Sequence, residues 1–207
     1  AGGEAEAFVV DMIDDEDVAR AVAAVIERFG RIDVVADSIG GGGVDTMYGY
    51  RGDDIFYVDS EDDLPIEFYG EGYDIIISSV SYTMPQGMEF EVLRTIDPTA
   101  TTAINLTGNK IPNIIFGNAG ANILDGSGGG DILEGFGGDD VYVVRHAGDR
   151  VIEGAGGGYD TVRTMIDYTT GSSHVERIEV FDPTSTTALR LTGNTLDNTM
   201  IGNAGAN

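Results

Sequence analysis

Gly117-Asn118-Ala119-Gly120-Ala121-Asn122-Ile123-Leu124-Asp125, Gly126-Ser127-Gly128-Gly129-Gly130-Asp131-Ile132-Leu133-Glu134 and Gly135-Phe136-Gly137-Gly138-Asp139-Asp140-Val141-Tyr142-Val143 are three nine-residue words in one unbroken phase. Their first positions are Gly117, Gly126 and Gly135, and their fourth positions are Gly120, Gly129 and Gly138. The sixth position carries a side-chain oxygen (Asn122, Asp131, Asp140), and the eighth a large apolar group (Leu124, Leu133, Tyr142). Six Gly-rich residues predict a turn, because glycine allows the positive φ that tight turns need. The remaining three predict a very short strand with its middle residue pointing inward. Two words complete one coil of a flattened parallel β-roll. Sixth-position residues two words apart then meet on one edge, which pairs Asn113 with Asp131 and Asn122 with Asp140.

The same word recurs on both sides. Gly40-Gly41-Gly42-Gly43-Val44-Asp45-Thr46-Met47-Tyr48 fits it at every specified position, and the next nine residues keep Gly49, Gly52, Asp54 and Phe56. Degenerate copies begin at Gly108, with Asn113 and Ile115, and at Gly193, with Asn198 and Met200. A longer repeat encloses the short one. Asp45, Gly52-Asp53-Asp54, Tyr73-Asp74 and Tyr82 return 86 positions later as Asp131, Gly138-Asp139-Asp140, Tyr159-Asp160 and Tyr168. Asp97-Pro98-Thr99 and Gly117 to Asn122 return 85 positions later. Internal repetition of this kind marks a solenoid. The expected fold is mainly β, a parallel β-roll or β-solenoid, with long units over 40–122 and 123–207. Ordinary hairpins do not hold a nine-residue phase over 108–143.

Stacked turns of this composition place backbone carbonyls and carboxylates opposite one another. Calcium accepts six to eight oxygens in flexible geometry, whereas magnesium demands a stricter octahedron and keeps its waters. The expected metal-site residues are Gly40, Gly41, Gly43, Asp45, Gly49, Gly52 and Asp54 in the first block. In the second they are Asn113, Gly117, Gly120, Asn122, Gly126, Gly129, Asp131, Gly135, Gly138 and Asp140. The first block is a single coil, so the partners of Asp45 and Asp54 must come from elsewhere in the solenoid. Asn offers a neutral oxygen, so sites at Asn113, Asn122, Asn198 and Asn207 are expected to be weaker or empty. The pattern resembles the RTX, or hemolysin-type, calcium-binding nonapeptide repeat. That resemblance implies Ca2+ as the ligand, folding coupled to calcium, and a secreted or cell-surface protein exported as an unfolded chain.

Composition agrees with bound cations. The 207 residues hold 36 Asp and Glu against 11 Lys and Arg, a formal net charge of −25, yet 42% are hydrophobic. That charge repels nucleic acid, while the apolar content supports a core. Cysteine is absent, and no apolar run reaches the ~18 residues of a membrane span. Residues 1–39 read differently, as strand, helix and strand, with Val18, Val22, Val25, Ile26 and Phe29 at helical spacing. Residues 7–40 resemble an internal fragment of a short-chain dehydrogenase, but Asp37-Ser38-Ile39-Gly40 departs from that family's pattern and no Tyr-x-x-x-Lys is present. A cap for the solenoid is the expectation there. Asp59 to Asp63 lacks the glycine and glutamate of an EF-hand and reads as a solvated loop, and His146 and His174 as surface or packing residues. Tyr82, Tyr168, Phe90 and Phe181 read as core. The functional expectation is a calcium-binding scaffold without catalytic residues. Head-to-tail self-association into a filament or layer would follow from an open solenoid end. The alternative is the calcium-binding region of a secreted hydrolase or of a fused oxidoreductase.

Overall fold

The computed structural model describes residues 43–205. The expected strand–helix–strand unit, together with Gly40, Gly41 and Asn207, lies outside the described residues. Within them the chain forms seventeen short strands and no helix. One six-stranded sheet is built from β2 (Ile55–Val58), β4 (Ile75–Ser78), β6 (Val92–Thr95), β8 (Ile114–Phe116), β10 (Ile132–Glu134) and β12 (Arg150–Ile152). A seven-stranded sheet takes β5 (Tyr82–Thr83), β7 (Leu106–Thr107), β9 (Ile123–Asp125), β11 (Val141–Val144), β13 (Thr161–Thr164), β15 (Arg177–Val180) and β17 (Thr199–Ile201). Two further pairs join β1 (Thr46–Tyr48) to β3 (Leu64–Ile66) and β14 (Tyr168–Thr169) to β16 (Leu191–Thr192). Every pairing is parallel, and successive strands alternate between sheets, so the chain winds as a parallel β-solenoid.

The eighth position of the word explains the core. Ile115, Leu124, Leu133 and Tyr142 are each fully buried, while the residues flanking Ile115 and Leu133 in their strands are only partly covered. Stacking in register puts Leu133 beside Ile115 and Tyr142 beside Leu124, giving an apolar column inside each sheet. Such a side chain contributes about 1.5–3 kcal/mol on burial, so Leu124→Ala, which also leaves a cavity, should cost about 2–5 kcal/mol. Coil length varies while register holds. Asn113 and Asp131 stand 18 residues apart, Asp160 and Glu176 16, and Ser81 and Asn105 24. Residues of the longer coils help fill the interior, with Phe90 meeting Phe56 edge-on at 5.3 Å. Tyr82, Phe90 and Tyr168 are core residues, but Phe181 is exposed and lies under the Arg145 guanidinium instead, 5.2 Å from ring centre to carbon. It follows β15 immediately, where the chain turns outward.

The long repeat has a consequence for the edges. Strands β1 to β8 of the first unit match β10 to β17 of the second, a displacement of nine strands. Nine is odd, so equivalent turns fall on opposite edges. Asp54 leads into β2 in the six-stranded sheet, while its counterpart Asp140 leads into β11 in the seven-stranded one.

Candidate metal centre

Each turn is shaped around its sixth-position side chain. A Cβ on Gly126 would sit 2.7 Å from the Cβ of Asp131, and one on Gly135 2.6 Å from the Cγ of Asp140. The first glycine therefore leaves the room into which the sixth-position group folds back. At the fourth position Gly120 makes room, since a Cβ there would stand 2.6 Å from the Thr101 carbonyl oxygen, whereas Gly52, Gly129 and Gly138 have φ of 129°, 107° and 98°. That is the left-handed region where side chains are strained.

The sixth-position residues form a ladder along each edge. The Asn113 amide N–H donates to Asp131 Oδ1 at 2.8 Å, and Asp131 donates in turn to Asp149 Oδ1 at 3.1 Å. On the opposite edge Asn122 donates to Asp140 Oδ1 at 2.7 Å, Asp140 to Asp160 Oδ1 at 2.8 Å, and Asp160 to Glu176 Oε2 at 2.7 Å. The first block finds its partners in the same way. Asp45 donates to Asp63 Oδ1 at 3.0 Å, Asp54 to Asp74 Oδ1 at 2.9 Å, and Asp74 to Glu91 Oε2 at 2.7 Å. Asp63 is not part of a solvated loop: it is buried, and its second oxygen accepts the Asp59 and Ser60 amides at 3.0 Å each.

Asn and Asp behave differently at this position. Asn113 Nδ2 donates to the Phe90 carbonyl at 2.7 Å, Asn122 Nδ2 to Ile104 at 2.9 Å, and Asn198 Nδ2 to Val175 at 2.7 Å. An Asn turn is thus closed by the protein's own hydrogen bonds. An Asp is the same shape but has an acceptor oxygen where Asn has a donor. Asp131 Oδ2 and Asp140 Oδ2 are buried without a hydrogen-bond partner. A buried acceptor of that kind costs free energy, and an ionised one much more unless a cation neutralises it. Burial pushes Asp131 and Asp140 up to about 7, with Asp149 and Asp160 adding like-charge repulsion.

Two sets of three acids concentrate this stress. Ligand oxygens of Asp54, Glu67 and Asp74 lie within 4.8 Å of one another, as do those of Asp140, Glu153 and Asp160, and all six residues are buried. Asp45, Asp59 and Asp63 form a third, more open group. Burial, followed by neighbouring carboxylates, pushes Glu67 up to about 8, Asp74 to about 6 and Asp160 to about 7. Of these residues, reading the words in phase finds Asp45, Asp54 and Asp140. It misses Asp59, Asp63, Glu67, Asp74, Glu153 and Asp160, which fall between the regular words. A signal was available: Glu67 and Glu153 are 86 positions apart, like Asp74 and Asp160, so both units keep an acid at each place.

These edges define a class: a parallel β-solenoid whose turns gather buried carboxylates suited to hard cations. The family model for the RTX calcium-binding nonapeptide repeat matches four copies, over residues 38–65 and 108–143, so the chain carries RTX repeats and binds calcium. The matched residues take in both blocks of words but not the degenerate copy at Gly193. No curated protein and no solved structure matches the chain.

Proposed function

We propose that the chain is a calcium-folded scaffold that works outside the cell and has no catalytic role of its own. The observation that carries this reading is the state of Asp131 and Asp140. Both are buried, each has a carboxylate oxygen without a hydrogen-bond partner, and each stacks on a further acid one coil on. In the cation-free chain these groups oppose the fold, and calcium reverses the sign of their contribution. Binding free energy then becomes folding free energy. Calcium modules of the extracellular kind bind at ~10⁻⁴–10⁻³ M, far above cytosolic levels, which supports folding after export. A structural role is supported by where the acids point, toward backbone amides and one another inside stacked turns.

Far-UV circular dichroism tests the reading. In EDTA at neutral pH the β signal should be weaker and should melt at a much lower temperature, and millimolar calcium should restore it where magnesium at equal concentration does not. A β spectrum unchanged by EDTA would overturn it. Head-to-tail self-association belongs to the same proposal. Its support is the parallel winding, which lets one solenoid stack on another in register. Light scattering in calcium that shows monomer at every protein concentration would remove that part.

A further inference from the structure

Three carboxylates close around one point is an arrangement the nonapeptide word does not provide, since each word folds one side chain, its sixth, back into its turn. In both long units the other two acids come from residues beyond the matched repeats. Glu67 follows β3 and Glu153 follows β12, each one coil beyond a first-position glycine (Gly49 and Gly135). The glutamate reaches back toward the earlier coil. A Cβ placed on Gly49 would run into Glu67 Oε2 and would stand 3.0 Å from Asp54 Oδ2, so that glycine keeps open a small cradle between the two acids. Asp74 and Asp160 close the group from the next rung through the Asp54 and Asp140 amides.

The acids alone do not make a site. The second observation is that Glu67 Oε2, Asp74 Oδ2, Asp140 Oδ2 and Asp160 Oδ2 are buried and have no hydrogen-bond partner, in residues no more than 1% exposed. Their first oxygens are satisfied by the amides of Phe68, Asp54, Asn122 and Asp140. In the second group Glu153 differs, its two oxygens accepting from the Tyr142 hydroxyl and the Gly154 amide. The arrangement occurs twice, at matching places and on opposite edges.

We propose that Asp54, Glu67 and Asp74 on one edge, and Asp140, Glu153 and Asp160 on the other, each hold one calcium ion at a site built largely from acids outside the nonapeptide repeats. This rests on the calcium reading above and adds two sites to it. Three carboxylate donors with little room for water suit calcium better than magnesium, which dehydrates reluctantly. The pair would clamp both edges of the solenoid, one per long unit.

Equilibrium dialysis against 45Ca2+ on the full chain, with Glu67→Gln, Glu153→Gln and the double variant, tests the proposal. Each single variant should bind one ion fewer than the parent and the double variant two fewer. The substitutions keep side-chain shape and remove buried charge, so calcium-free circular dichroism should show them at least as structured as the parent. Should one variant fail to fold in calcium, tyrosine-sensitised Tb3+ luminescence on the Tyr142→Phe chain reads the second site independently. Tyr142 donates its hydroxyl to Glu153, so that variant should lose part of the emission while Tb3+ still binds. An unchanged ion count, or emission unchanged in Tyr142→Phe, would mean that these clusters hold protons rather than cations and would overturn the proposal. No calcium bound by the parent would instead overturn the calcium reading itself.

Discussion

The two acidic triads occupy matching places in units 86 residues apart, but their surroundings differ by one oxygen. Beside Glu153 stands Tyr142, whose hydroxyl donates to the carboxylate and accepts the Gly135 amide at 2.9 Å. Beside Glu67 the corresponding residue is Phe56, with a ring carbon where the hydroxyl would be. Burial raises both glutamates. For Glu153 the Tyr142 hydroxyl and the Gly154 amide pull back; for Glu67 only the Phe68 amide does, and it reaches about 8. A second difference lies nearby. Asp59, which joins Asp45 and Asp63 in the third acidic group, is replaced in the second unit by Arg145, which pairs with Asp125 at 2.7 Å. The second unit has thus partly internalised the neutralisation that the first leaves to a cation. Its calcium-free form should be the more stable of the two.

Removing calcium at controlled pH gives the largest expected effect. Asp74 stands at about 6, Asp131, Asp140 and Asp160 at about 7, and Glu67 at about 8, against ordinary values of 3.8 for Asp and 4.5 for Glu. Folded values above unfolded ones mean that the protonated acids favour the fold. Their contribution is complete below about pH 4 and is lost as pH rises through 6 to 8. Without calcium, Tm should therefore be about 10 °C or more higher near pH 5 than near pH 8, given several kcal/mol in a chain of this size. With saturating calcium the trend should reverse, because cations bind the ionised form. Glu67→Gln should flatten the upper end of the calcium-free profile, a local effect that general relief of the net charge would not produce. A calcium-free Tm that rises with pH would sink this account.

The hydroxyl itself comes next. Tyr142→Phe leaves Glu153 and the Gly135 amide without that partner, and a hydrogen bond to a charged group is worth about 1.5–3 kcal/mol. Urea unfolding in EDTA should show a loss of that size, shrinking when calcium is added. The reciprocal Phe56→Tyr should stabilise the calcium-free chain by about 1 kcal/mol, less because the added oxygen must fit a filled core. Should both variants move stability equally in calcium and in EDTA, the hydroxyl is not standing in for a cation.

The core and its winding were readable because they depend on phase. Leu124, Leu133 and Tyr142 recur every nine residues, and the same period places Asp131 beside Asn113 one coil away. The triads were not readable that way. Glu67 and Asp74 lie where coil length departs from two words, so phase-keeping loses them, and only the structure shows how the 20-residue step from Asp54 to Asp74 keeps its register. Asp63 was misread for a similar reason: its neighbours look like a charged loop, but its carboxylate is used inside, closing the turn against the Asp59 and Ser60 amides. Position 181 shows the converse, an aromatic in a strand-like run that turns outward where the strand stops.

Asp131→Asn isolates a nonapeptide site from the triads. At positions 113, 122 and 198 the amide donates to the carbonyl of the residue just before the preceding rung's sixth-position residue. By the same geometry, Asn at 131 would donate to the Pro112 carbonyl. The variant should gain about 1 kcal/mol in EDTA, the net worth of one hydrogen bond in place of an unpaired oxygen, and lose one calcium ion. Thermal unfolding and ion counting on the same sample check both, and a destabilised EDTA form would show that Asn cannot close that turn.

Arg145→Ala should have the smallest effect. The guanidinium contacts Asp125 through three nitrogen–oxygen pairs between 2.7 and 3.2 Å and lies over Phe181, but its side chain is 34% exposed. Exposed pairs are typically worth under about 1 kcal/mol, and a partly screened cation over a ring adds about as much. The expected loss is about 1 kcal/mol at low salt and less at high salt, whether or not calcium is bound, because Asp125 belongs to neither triad. If instead the loss appears only in EDTA, Arg145 is serving as a fixed cation for the second unit, in the place where the first unit has Asp59. The unequal calcium dependence of the two units would then have two causes rather than one.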